Sequence, residues 1–122
     1  MPPNPETSIV QRIRLDAAPD VRLFRNNTGV LPDRQGRPIR FGLAPGSSDL
    51  IGWRTLKVGE RRLAVFVAIE VKVPGARTQL DHLREQESFV TAVRQAGGLA
   101  GFADDAAQAA DIVAGGPGAT PH

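Results

Sequence analysis

The chain has 122 residues, a length that suits one domain with a modest hydrophobic core. Lys plus Arg exceed Asp plus Glu by 15 to 13, and a net charge of +2 is too small to announce a polyanionic partner by itself. The lack of Cys excludes disulfides, thiolate nucleophiles and Cys-type zinc sites, and an aromatic share of 5% makes an aromatic platform for single strands a poor first expectation.

The opening "MPPNPETSIV" has no basic-then-apolar leader pattern, and no apolar run approaches the ~18 residues of a membrane span. The expectation is a cytoplasmic protein without a membrane partner. From Asn4, "NPETSIVQRIRL" predicts a helix: Asn4 caps it, Pro5 fits the first turn, and Ile9, Val10 and Ile13 follow at helical spacing. Glu6 lies on that apolar face, either as a functional acid or as a first-turn acid that complements the helix dipole.

"VRLFRN" reads as a short strand, "NNTG" as a turn, and "LPDRQGRPIRFGLAPGSS" as a long surface loop rich in Gly, Pro and Arg. Arg12, Arg14, Arg22, Arg25, Arg34, Arg37 and Arg40 crowd the first third of the chain, as a basic surface beside a phosphate-bearing ligand or as an ordinary solvated face. "DLIGW" is a candidate strand, and "TLKVGERRLAVFVAIEVKV" a hairpin turning near Gly59 and Glu60. A helix from Thr78, capped by that residue, runs to the Gly97-Gly98 stop; "LAGFA" is a closing strand and "DDAAQAADIVAG" a short helix. At ~100° per residue, Gln86 falls inside the apolar stripe of Leu80, Leu83, Val90 and Val93, while His82 lies beside it.

Alternation along "VFVAIEVK" puts Phe66, Ala68, Glu70 and Lys72 on one face and Val65, Val67, Ile69 and Val71 on the other. Glu70 and Lys72 then stand at the end of a buried strand, where charges need partners. A plain strand-end ion pair would satisfy that need. Asp49, one strand earlier, adds a second carboxylate at the same edge, and two carboxylates about 4 Å apart repel by about 4 kcal/mol at an effective dielectric of ~20. A proton, the Lys72 amine or a divalent cation resolves such a cluster; oxygen ligands without Cys, and with His82 and His122 the only histidines, favour Mg²⁺ or Mn²⁺ over zinc.

Asp49 followed by Glu70-Val71-Lys72 resembles the PD-(D/E)xK nuclease signature. More narrowly, "RNNTG", "GSSDLIGW", "VAIEVK" and "REQESFVTAVRQAGGLAG", in that order, resemble the VRR-NUC (virus-type replication-repair nuclease) domain in its small standalone form, over about Glu6 to Ile112. The resemblance implies an α/β fold with a restriction-endonuclease-like core, a mixed β-sheet flanked by helices in α-β-β-β-α-β order. One domain would span residues 1–114, with 115–122 a disordered tail. It implies a Mg²⁺- or Mn²⁺-dependent DNA endonuclease, selective for branched or four-way DNA in replication, repair or recombination, and acting as a homodimer. Asp49 and Glu70 would hold the metal with the Val71 carbonyl, Lys72 would be the catalytic amine, Glu6 a further acid near the metal and Gln86 the family's helix glutamine. Arg25 and Asn26 match its "RN" stretch and would contact phosphate, brace the site or simply end the strand; with Arg37, Arg40, Ser47 and Ser48 they are the candidates for DNA contact. The alternatives are a DNA-binding or assembly module on the same fold without turnover, and a nuclease acting on RNA.

Overall fold

The computed structural model describes residues 4–118. Helix α1 (Pro5–Asp16) begins where Asn4 accepts the Thr7 N–H at 2.9 Å, so the expected cap is formed, and it buries Val10 and Ile13. Strand β1 (Val21–Arg25) follows. The expected long loop is instead interrupted by a hairpin, β2 (Gly29–Pro32) and β3 (Pro38–Phe41), paired antiparallel as a separate two-stranded sheet. Its strands are almost wholly exposed, so no inward-outward alternation marks them in the sequence.

"DLIGW" and "TLKV" form one strand, β4 (Leu50–Val58), paired antiparallel with β5 (Arg61–Val71). Gly59 at φ +62° and Glu60 make the turn, and a positive φ at the first position alone suits a type II′ turn with Gly there. Helix α2 (Leu80–Gln95) starts one residue later than the expected Thr78 cap implies, after Gln79, with no side-chain cap. Thr78 is engaged elsewhere. Gly97, at φ +98°, ends the helix as expected.

Strand β6 (Leu99–Ala103) pairs parallel with β5, and Asp105 caps α3 (Ala106–Val113) through the Gln108 N–H. The main sheet is mixed, in the order β1-β4-β5-β6, and is flanked by helices. Apart from the inserted hairpin and terminal α3, chain order is the expected α-β-β-β-α-β. Of the tail expected to be disordered, residues 115–118 turn back: Pro117 O accepts from Arg94, and Gly118 N–H donates to Asp111. Residues 119–122 of that tail lie outside the described residues. Among the described residues, no helix is long and apolar enough to cross a membrane.

The alternation of β5 divides the core. Val67, Ile69 and Val71 pack with Val10, Ile13, Leu23, Leu50 and Ile112, so α1 and α3 cover that face. Ala68 on the opposite face packs with Val90, Ala100 and Phe102, with Ile51 and Leu83 at the margin, so α2 covers the sheet there. Burying one core aliphatic side chain contributes ~1.5–3 kcal/mol, and β5 collects such contacts on both faces. Its position is fixed.

Candidate functional site

The site forms where the β4–β5 ladder stops. Leu50 pairs with Ile69, and Asp49, one residue earlier, lies beyond the last paired residue. Its Oδ2 accepts the Val71 N–H at 2.8 Å. The Lys72 N–H points the other way, to the Ala103 carbonyl of β6 at 2.9 Å. Because the N–H and C=O of one strand residue face the same edge, the Val71 carbonyl faces the Asp49 side, as a role in binding a cation requires.

Asp49 is held by the chain before it. Asn26 N–H donates to the Asp49 carbonyl at 2.7 Å, and Asn26 Nδ2 donates to Ser47 Oγ at 2.8 Å and the Ser48 carbonyl at 2.9 Å. Asn26 Oδ1 accepts the Leu43 N–H, and Ser47 Oγ donates to the Ala44 carbonyl at 2.6 Å. Ser47 and Ser48 are 7% and 1% exposed. The enclosure of Ser47 and Ser48 corrects the expectation that they form a DNA-contact surface, whereas Asn26 takes the bracing role, one of those expected of it, and holds the loop that presents Asp49. The small residues preceding them serve packing, since a Cβ on Gly46 would stand 2.7 Å from Glu85 Cβ of α2.

Glu70 and Lys72 are buried on the α2 face, and so is Gln86, as its place in the apolar stripe predicts. Lys72 Nζ donates to Gln86 Oε1 at 2.5 Å and Thr78 Oγ1 at 2.6 Å, and Gln86 Nε2 donates to Glu70 Oε1 at 2.9 Å. An ammonium only donates and a carboxylate only accepts, so this arrangement fixes the amide orientation of Gln86. The amide bridges acid and amine. Lys72 Nζ also lies 5.8 Å from the centroid of the Phe102 ring, within cation–π range.

Burial, and then the neighbouring Asp49 charge, push the Glu70 carboxyl up to about 9 against the pull of Lys72. Burial likewise pushes the Lys72 amine below its ordinary value, while Glu70, Asp49 and Glu6 pull it the other way. Glu6 comes from α1 into the same field: burial and then Asp49 raise its carboxyl, and its Oε1 lies 3.7 Å from Arg25 Nη2. Five expected residues, Glu6, Asp49, Glu70, Lys72 and Gln86, thus share one electrostatic neighbourhood.

Of the expected DNA-contact arginines, Arg25 reaches this neighbourhood, and its charge opposes the rise of the Glu6 carboxyl. Arg25 is turned to Glu6 and to Asn27, whose Oδ1 accepts from its Nε at 2.7 Å. Arg37 pairs with Asp33 at 2.8 Å in the hairpin turn, and Arg40 is exposed on β3. His82 is exposed on α2, beside Glu85 at 4.0 Å. Thr78, a direct partner of Lys72, was expected only as a helix cap; no periodicity marks a Thr that reaches back to the preceding strand.

Whether this donor set suits a divalent cation is tested by Glu70 Oε2, which is buried and has no hydrogen-bond partner. An orphaned carboxylate oxygen beside a second carboxylate is costly unless a proton or cation meets it. Asp49, Glu70 and the Val71 carbonyl form an all-oxygen set fitting Mg²⁺ or Mn²⁺ with water or a phosphate completing the shell. Among the described residues, no group of three or more His, Cys, Asp or Glu side chains gathers closely enough to hold a metal on its own. Compared with known proteins, the chain matches no family model, no curated protein and no solved structure.

Proposed function

We propose that the chain is a metal-dependent nuclease of the VRR-NUC kind, with a restriction-endonuclease-like core, hydrolysing phosphodiester bonds in DNA. The observation that carries the reading is the buried Glu70-Gln86-Lys72 chain beside Asp49, in which an acid pushed up to about 9 and a depressed amine are held at one strand end. Perturbed titrating groups gathered in this way are a mark of functional sites. A stabilising surface ion pair needs neither the burial nor the bridging amide.

Asp49, Glu70 and the Val71 carbonyl would hold Mg²⁺ or Mn²⁺, with Glu6 a further acid nearby. When bound, the ion supplies Lewis-acid polarisation of a phosphoryl oxygen and a lower pKa for bound water. The chain supplies position. Gln86 and Thr78 fix the Lys72 amine, which stabilises the charge developing on the phosphoryl oxygens or orients the attacking water. Asn26 and Ser47 hold the Asp49 loop in register with β5.

Cutting both strands of branched or four-way DNA requires two such sites, so we propose a homodimer as the working form. Incubation with labelled linear, flap and four-way DNA, with and without Mg²⁺ or Mn²⁺, tests the reading. Metal-dependent cleavage that disappears in Lys72→Ala is expected; no cleavage of any substrate overturns it. Light scattering that finds only monomers overturns the dimer. A second reading, a DNA-binding or assembly module without turnover, draws on the absence, among the described residues, of three converging acid or histidine ligands. Titration with Mn²⁺ separates the two, because only the nuclease has a site that Asp49→Ala removes.

A further inference from the structure

Aromatic residues are scarce, five Phe and one Trp, yet Phe24, Trp53 and Phe66 meet on one face of the main sheet. Trp53 lies directly across from Phe66 on β5 and from Arg22 on β1, and the Phe24 ring centroid is 5.6 Å from that of Trp53, tilted by 42°. The register puts all three on the α2 side. Helix α2 lies over β5 and β6 and leaves them open: Phe24, Trp53 and Phe66 are 47%, 38% and 39% exposed. Core burial would have hidden them.

The charges on this open face have one sign. Arg22 on β1, and Lys57 and Arg62, which pair across β4 and β5, point to the same side and are exposed. Thr55 and Ala64, the other cross-strand pair there, carry no charge. A twofold contact with a second copy would set these cations against their own counterparts, because the acids of this sheet face, Asp49 and Glu70, lie at its other end. Rings interspersed with cations suit a polyanion with flat apolar faces, an unpaired nucleic-acid strand whose bases stack while its phosphates meet Arg and Lys.

We propose that this face, centred on Trp53, holds an unpaired strand of DNA next to the point of cleavage. It rests on the nuclease reading for the identity of the ligand and goes beyond it in naming the substrate: DNA with a single-stranded arm or gap, in place of continuous duplex. Asp49 and Glu70 lie on the same sheet face as the rings. Trp53 is four residues from Asp49 and Phe66 four from Glu70, so at ~3.3 Å per residue the rings and acids are ~13 Å apart. That is the length of about four stacked bases at ~3.4 Å each. An unpaired segment lying on the rings would bring the adjoining phosphodiester to the carboxylates.

Trp53 is the chain's single tryptophan and reports the contact directly. Its emission is titrated in EDTA, where no cleavage occurs, with an oligothymidylate of about twelve nucleotides and with a blunt duplex of the same length. Expected are quenching by the single strand, affinity at least about tenfold above that for duplex, and a loss of about tenfold or more in Phe24→Ala/Phe66→Ala. If that double variant does not fold, Arg62→Glu, at an exposed position, provides the test through a comparable loss and a shallower salt dependence. Equal affinity for duplex and single strand, or unchanged affinity in the folded variants, overturns the proposal. So does emission that follows protein concentration instead of oligonucleotide, which would put a second copy on this face. A nuclease cutting only continuous duplex would fail this test and pass the metal-dependent cleavage test, so the two readings fail separately.

Discussion

The two faces of β5 show how one strand divides its labour. Toward α1 and α3, Val67, Ile69 and Val71 close an apolar layer in which Ile69 and Leu50 have no exposure. Toward α2, the same strand presents Phe66 half-exposed, then Ala68, then buried Glu70, with Lys72 just past its end. The first face is what burial favours; the second contains an acid with an orphaned oxygen and a desolvated amine, which burial opposes. The lesson is that side chains costly to bury mark where the proposed function is to be tested, while those that burial stabilises maintain the scaffold beneath it.

Substitutions on the polar face should destroy chemistry while sparing the fold. Asp49→Asn and Glu70→Gln are each expected to lower metal-dependent cleavage by at least about 10³-fold, near 4 kcal/mol of barrier, with circular dichroism unchanged. Collapse of the fold in either would make the cluster a structural ion network and erase the contrast between faces. On the apolar face, Ile69→Ala should cost about 2–5 kcal/mol of unfolding free energy in chemical denaturation. Cleavage per folded molecule should remain near the parent value.

Gln86 tests the bridge between the acids and the amine. Gln86→Leu keeps approximate volume but removes both hydrogen bonds, and a rate loss of about 10–100-fold is expected in cleavage assays, smaller than for the acids. An unchanged rate would show that Thr78 alone positions Lys72.

The smallest effect is on pH dependence without metal. The Glu70 carboxyl lies at about 9 in the fold against an ordinary value of 4.5, so the folded chain keeps a proton that the unfolded chain releases. Its contribution to stability is fully present below 4.5 and is lost as pH rises toward 9. The lowered Lys72 amine works in the opposite sense as pH rises toward its ordinary value of 10.5, and the raised Glu6 carboxyl works in the same sense as Glu70. Melting curves in EDTA should therefore show a Tm lower at pH 9 than at pH 5 by roughly 5 °C or more, and Glu70→Gln should flatten the trend. A Tm that rises across that interval would contradict the direction of the Glu70 shift.

Much of this arrangement was legible in the chain because it is written in periodicity. Alternation along β5 put Glu70 and Lys72 on one face, and the helical period put Gln86 inside an apolar stripe; both placements are observed. The β2–β3 hairpin was not legible, because its residues are exposed on both sides and Pro32 faces Pro38 where strand-forming residues would be expected. Ser47 and Ser48 read as a surface because small polar residues usually lie there. Only the long-range hydrogen bonds of Asn26 show that they are enclosed. Thr78 reads as a helix cap by type, yet Lys72 takes its hydroxyl.

The tight turn at Gly59 and Glu60 also bears on the order in which the molecule assembles. Strands β4 and β5 are joined by a minimal loop, whereas β6 reaches β5 only after the whole of α2. Short closures lose less chain entropy, so the β4–β5 ribbon is expected to zip first and to bring Asp49 to Val71 before Gln86 arrives from α2. The last rungs of that ribbon close against the mutual repulsion of two acids. On this order the cluster is completed only when Gln86 arrives, and the raised Glu70 carboxyl lets a proton relieve the repulsion between the two acids.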